Sequence, residues 1–460
     1  MPTIKVLKLG TTKTGNRRFW AEGYYLCKEG FTPGMGYNVH VVDDQVQLKA
    51  DTLGQYTVSK RGKEGRLKPI IDLTNNVLAE LFEGVERLRV QISKGKIVIT
   101  AHHQEIKTRK REARLKEKVQ RGQSLSVCSM FHGGGILDRA LHSGMAQSGL
   151  RSGVSIVSEL EDEFLNHSMA NQDIWSDDVI ALCGPVELMN LRKDPPEVDA
   201  LFGGIPCTGA SRAGRAANKL DHAESHDKAG AMFFTTLRFI EELNPSVAIL
   251  ENVPEYQNTA SMEVIRSVLT SMDYKLSERV FDGSEFGSLE KRKRLCVVAV
   301  SRGMDPIDLD AILPQLLKPV DLSAILEDLA LDADEWKSHA SKVEKEKRDR
   351  KAGKGFRMQL LDPAAPSCGT IGAGYNKSRS TEPRLIHPED PDKSRLFTPV
   401  EHARVKGIPE ELVAGLPATT AHTILGQSVI WPVFEAVGSA IAEHVQRWAF
   451  EGYAKLEMAA

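Results

Sequence analysis

The chain has 460 residues, 41% of them apolar and 27% charged, which is the balance of a folded protein with room for two or three cores. Its longest apolar runs are strand-sized, so no segment reads as a membrane span, and Met1-Pro2-Thr3-Ile4-Lys5 lacks the apolar core of a signal peptide. The net charge of −2 conceals an asymmetry: residues 1–122 hold 24 Lys and Arg against 13 Asp and Glu, a charge of +11, and the remainder carries −13. A basic module on an acidic body points either to a polyanion partner, with phosphate contacts that a salt titration of binding would reveal, or to a solvated basic surface and linker. A cytoplasmic location is expected.

Residues 1–100 alternate short β-branched or aromatic runs, such as 37–42 and 96–100, with glycine-rich turns, and one helix is predicted over 75–88. This describes a small α+β domain. The basic run 104–120, centred on Arg109-Lys110-Arg111, reads as an exposed helix or linker, and the first domain is drawn as 1–122. From 123 to 302 strand and helix alternate. Strands are predicted at 125–130, 154–158, 198–202, 247–250 and 295–300, with helices at 229–243 and 262–272 between them. That order predicts a doubly wound α/β core. Residues 303–394 are mixed, Lys-rich around 342–354 and then rich in Gly, Ser and Pro. Helices over 398–406 and 429–448 close the chain.

Six cysteines (Cys27, Cys128, Cys183, Cys207, Cys296, Cys368) show no Cys-x-x-Cys pair, so neither a disulfide framework nor a metal site is expected. Cys128, Cys183 and Cys296 lie in apolar runs and are expected to be core thiols. Cys207 differs. It sits in Gly203-Gly204-Ile205-Pro206-Cys207-Thr208-Gly209, where the paired glycines and the Pro-Cys step end a strand and turn the thiol outward.

Four further runs carry chemistry. Phe131-His132-Gly133-Gly134-Gly135 follows the first core strand, where glycines let a ligand approach the backbone, and Glu159 ends the second strand, where a doubly wound fold presents an acid to ribose hydroxyls. Taken alone, that glycine run is equally consistent with a tight strand-to-helix turn. Glu251-Asn252-Val253-Pro254 ends another strand, so a thiol and a carboxylate are expected to face one crevice. Glu290-Lys291-Arg292-Lys293-Arg294 enters a strand with both guanidiniums expected on one face, a basic strand entry being the bland alternative. Finally, 395–409 and 426–433 read as well-capped helices.

In this order and spacing, these runs resemble the DNA (cytosine-5) methyltransferase family over about 124–302 and 395–445. The resemblance implies an S-adenosylmethionine-dependent, Rossmann-like catalytic domain completed by 395–460. A target-recognition domain would be inserted at 303–394. It implies Cys207 as nucleophile, Glu251 on the cytosine N3 and amino group, and Arg294, assisted by Arg292, on the carbonyl oxygen. Phe131, Gly133, Gly135, Glu159, Leu160, Val186, Met232, Gln427 and Ser428 would line the S-adenosyl-L-methionine pocket. Ser211 and Arg212 would belong to a loop closing over DNA, and Thr370 and Ile371 to the recognition element.

The implied partner is double-stranded DNA, met by a monomer, with a cognate restriction endonuclease and neither membrane nor metal. Four positions depart from the family pattern: Pro185 for Asp, Thr208 for Gln, Glu290 for Gln and Gln427 for Asn. A DNA-binding regulator with an inactive methyltransferase fold is the alternative, and its signature would be site-specific binding without methyl transfer. Activity on RNA is a third, against which the long 303–394 insert argues.

Overall fold

The computed structural model describes residues 2–63, 66–189, 191, 195–206, 224, 230–353 and 357–457. The chain divides into two compact units, Met1–Lys110 and Arg111–Ala460.

The first unit contains a six-stranded antiparallel sheet and a four-stranded one. Alternation explains the larger sheet: Leu88, Val90 and Ile92 point inward from Arg87–Ser93, as do Ile97 and Ile99 from Lys96–Ala101, all fully buried with Phe19, Phe31 and Phe82. The helix expected over 75–88 is shorter. It covers Asn76–Leu81, capped by the Asn75 side chain, and Gly84 at φ 68 turns the chain into the Arg87–Ser93 strand.

The second unit is built on a seven-stranded sheet. Its strands are β1 (Leu125–Met130), β2 (Ser152–Glu159), β3 (Ile180–Cys183), β4 (Ala200–Gly204), β5 (Val247–Asn252), β6 (Tyr274–Asp282) and β7 (Lys293–Ser301). Their spatial order is 3-2-1-4-5-7-6, with β7 antiparallel to both β5 and β6 and the other pairs parallel. Central strands such as β5 and β7 are buried along nearly their whole length, as a sheet covered on both faces requires. Two expectations fail at the sheet's edges. Strand β6 went unpredicted because it is half-buried and polar, and β3, although apolar, because it has only four residues. At the sheet's edge β3 leaves Cys183 exposed, while Cys128 and Cys296 are buried as expected.

The basic run 104–120 is one helix, α1 (His103–Gln120), and from Arg111 onward it belongs to the second unit. Its cations are not simply solvated. Arg111, 1% exposed, donates to Ser301 Oγ at 2.8 Å and to Asp273 O at 2.7 Å. Arg114 and Lys118 grip the fully buried Asp199 at 3.0 and 2.5 Å. These contacts gather at the chain just before β4 and at the end of β7, which is the edge of the sheet opposite the carboxyl ends of β1, β2, β4 and β5.

Residues 337–395 contribute a four-stranded sheet. Leu385 of this sheet, with Cys368, Ile371 and Tyr375 from the segment between two of its strands, shares a core with Leu289, Phe397 and Val405. Helix α2 (Pro399–Arg404) opens with a capping box between Thr398 and Glu401, and Glu401 is also bound by Arg395 at 2.6 and 2.7 Å. Helices α3 (Ala418–Gln427) and α4 (Trp431–Glu457) return to the sheet. No single described helix is long and apolar enough to cross a membrane.

Candidate active site

Parallel pairing of β4 with β5 sets Gly204 opposite Glu251. Beyond β4, the Asn252 side-chain amide donates to Ile205 O at 3.2 Å, so the strand carrying Glu251 also fixes the exit of its neighbour. Pro206 follows. Cys207 itself, with Thr208, Ser211 and Arg212, lies outside the described residues.

Glu251 is nearly enclosed, its side chain 12% exposed, and it forms an ion pair with Arg294 Nε at 2.8 Å. Burial raises its proton affinity, Arg294 and Arg292 oppose that, and burial wins, leaving the carboxyl above its usual range. The result is an acid that holds its proton more tightly than a surface glutamate, beside a cation ready to stabilise the charge left when the proton goes.

Arg292 stands just before β7, and its charge, like that of Arg294, opposes the rise in the proton affinity of Glu251. It is 3% exposed and donates to Ile371 O at 3.2 Å and Gly426 O at 3.1 Å, with Glu290 Oε1 at 3.4 Å. Arg292 is thus a backbone clamp behind the site, and Arg294 is the guanidinium at the carboxylate. Ile371 and Thr370, the two residues of the expected recognition element, differ in exposure. The Ile371 side chain is fully buried in the core shared with Leu289 and Phe397, whereas Thr370 is exposed and donates from its hydroxyl to Lys291 O at 2.6 Å.

A second cluster lies at the ends of β1 and β2. Phe131 (φ 57), Gly133 (φ 57) and Gly135 (φ 74) form a left-handed turn, and a side chain at Gly133 would meet nothing, so the backbone there faces open space. Glu159 accepts from Gly133 N at 2.5 Å and from Glu161 N at 3.0 Å, one bond to each oxygen. Each oxygen keeps a lone pair for a further donor. Phe131 is half-buried and Leu160 is 58% exposed, while Val186 and Met232 are buried in the core on which Phe131 packs. Gln427 is exposed at the end of α3, Ser428 caps that helix, and Ile424 of α3 presses on Gly134. A carboxylate, an open backbone turn and an apolar shelf fit a nucleoside-bearing cofactor.

One residue of consequence went without a role in the sequence. Lys406 is completely buried, its Nζ 2.7 Å from Glu290 Oε2. The signal was present: a glutamate in place of the family's usual glutamine adds a charge that must find a cation.

The sequence pattern of the family described as C-5 cytosine-specific DNA methylase matches residues 126–443. The chain is similar to Type II methyltransferase M1.ScrFI of Lactococcus lactis subsp. cremoris, 28% identical over 265 residues, covering 56% of this chain and 65% of that protein. It is 30% identical over 267 residues to Type II methyltransferase M.NlaX of Neisseria lactamica, covering 56% of this chain and 79% of that one. The chain spans 65% of the length of the first two curated relatives it matches. Among solved structures, S. pombe Dnmt2 methyltransferase superimposes with a TM-score of 0.54 at 17% identity, covering 69% of this chain and 98% of that one. That likeness bears on fold, and with the strand order it makes the second unit a Rossmann-like methyltransferase fold. The chain belongs to the C-5 cytosine-specific DNA methylase family.

Proposed function

We propose that this protein is a DNA (cytosine-5) methyltransferase. It would methylate carbon 5 of a cytosine rotated out of a specific duplex sequence, through a transient bond between Cys207 and carbon 6. The observation that carries this reading is the enclosed Glu251–Arg294 pair, held beside the strand that leads into Pro206 and Cys207.

Rotation out of the stack costs a few kcal/mol and exposes both faces of the ring. The Cys207 thiolate adds to carbon 6 while Glu251 gives its proton or a hydrogen bond to N3, so electron density collects at carbon 5. Arg294 receives the carbonyl oxygen and balances Glu251. Phe131, Gly133, Gly135, Glu159 and Leu160 would hold S-adenosylmethionine, with Val186, Met232, Gln427 and Ser428 around them. That cofactor supplies an electrophilic methyl group on a sulfonium. Once carbon 5 is methylated and has lost its proton, the Cys207–carbon 6 bond breaks and the ring is restored. Residues 303–394, including exposed Thr370, are proposed to choose the sequence.

Glu251→Gln tests the central pair, because an amide cannot pass a proton to N3. Turnover on duplex DNA is expected to fall by about 10²- to 10⁴-fold, with DNA binding retained in a shift assay. A wild-type rate would remove Glu251 from the chemistry.

A further inference from the structure

Behind the site, one carboxylate stands between two buried cations. Glu290 Oε2 lies 2.7 Å from Lys406 Nζ, and neither side chain has any exposure. Glu290 Oε1 accepts the Ile371 N–H at 3.0 Å and faces Arg292 at 3.4 Å. Arg292 in turn reaches the carbonyls of Ile371, Gly426 and Gln427, at 3.2, 3.1 and 3.5 Å. Four distant stretches of chain therefore meet at one charge cluster: the entry to β7, the segment at Ile371, the end of α3, and the turn after α2. The first of these carries Arg294 two residues further on, and the third carries Gln427 and Ser428.

We propose that Lys406 and Glu290 act together as a positioning pair. By holding Arg292, they fix the end of α3 and the Ile371 segment against the strand that presents Arg294 to Glu251. This rests on the methyltransferase reading for its kinetic consequence, but not for its structural one.

The electrostatics support a coupled pair. Burial alone would raise the Glu290 carboxyl, but Lys406, Arg292 and the Ile371 N–H outweigh it and hold it below the usual range. Burial and the neighbouring Arg292 bring the Lys406 ammonium down to about 7, against the pull of Glu290. Arg294 adds to that lowering. His402, held neutral by its own burial, and the buried Cys368 thiol are the other titratable groups whose charges interact with Lys406. Removing Glu290's charge alone would take away the pull that keeps Lys406 protonated and leave Lys406 and Arg292 without their shared carboxylate. Removing both charges would leave two amides able to hydrogen-bond to each other and to Arg292.

The test compares wild type, Glu290→Gln, Lys406→Gln and the double variant by two readouts. The first is hydrogen exchange of residues 368–373 and 424–428, which requires no activity. Glu290→Gln should speed exchange in both segments together at a temperature where the protein is still folded, and the double variant should restore protection in both. The second is steady-state kinetics on duplex DNA. The single variant should lose about a hundred-fold in kcat and raise the KM for S-adenosylmethionine, with most of the loss recovered in the double variant. Faster exchange at 368–373 alone, or no recovery in the double variant, would overturn the proposal. Wild type without methyl transfer would instead defeat the proposed function and leave the exchange result to decide this inference.

Discussion

Glu251 and Glu290 each meet a cation that the fold brings from far along the sequence, and that balance sets what each carboxyl can do. Glu251 keeps a raised proton affinity because burial exceeds the help of Arg294, while Glu290 remains ionised because two cations exceed its burial. Lys406 shows the consequence for stability. Its folded pKa of about 7 lies below the ordinary lysine value, so the unfolded chain binds more protons between those two values. Its contribution to stability is therefore greatest above the ordinary lysine range and is lost as pH falls through about 7. In Lys406→Met that increment disappears, so the gain in melting temperature from about pH 7 to about pH 9 should be smaller than in wild type. An unchanged pH slope would show that Lys406 does not titrate there. Glu251 and Arg294 were each legible as candidate site residues from their places at strand ends, but their ion pair was not. Nor were the hydrogen bonds of Arg292 to Ile371 O and Gly426 O, because they join segments far apart in the sequence.

Among elements, the apolar strands at 125–130, 247–250 and 295–300 announced themselves by length and composition, and the structure extends the last two by only a few residues. Strand β6 did not, since Lys275, Ser277, Glu278 and Arg279 give it the look of a loop, and it is legible only once β7 pairs with it. Helix α3 was missed as well. Its end is closely packed: a side chain on Gly426 would fall on the backbone of Gly372 and Ala373. Gly426→Ala must therefore separate α3 from the 371–373 segment, at a cost of about 1–3 kcal/mol in stability and with weaker binding of S-adenosylhomocysteine by calorimetry. Gly372→Ala, where a side chain would meet nothing, should be close to neutral. Equal effects of the two substitutions would refute the contact.

For the whole molecule, the sequence disclosed a basic front and an acidic body, but not how the basic residues are spent. Arg111, Arg114 and Lys118 are bound to the body itself, at Ser301, Asp273 and Asp199, so part of the surplus counted over 1–122 is structural. The order of chemical runs along the second unit was legible because each falls at a strand end, and strand ends on one edge of a doubly wound sheet converge whatever their separation in sequence. The geometry between them, which makes one arginine a clamp and the other a partner of the acid, required the fold.

Conversion sequencing of DNA from a methylation-free host expressing this protein, beside a host expressing Cys207→Ser, tests the central claim most directly. Protected cytosines confined to one sequence context, and present only with Cys207, are the predicted result. Soluble wild-type protein that leaves every cytosine convertible would contradict it.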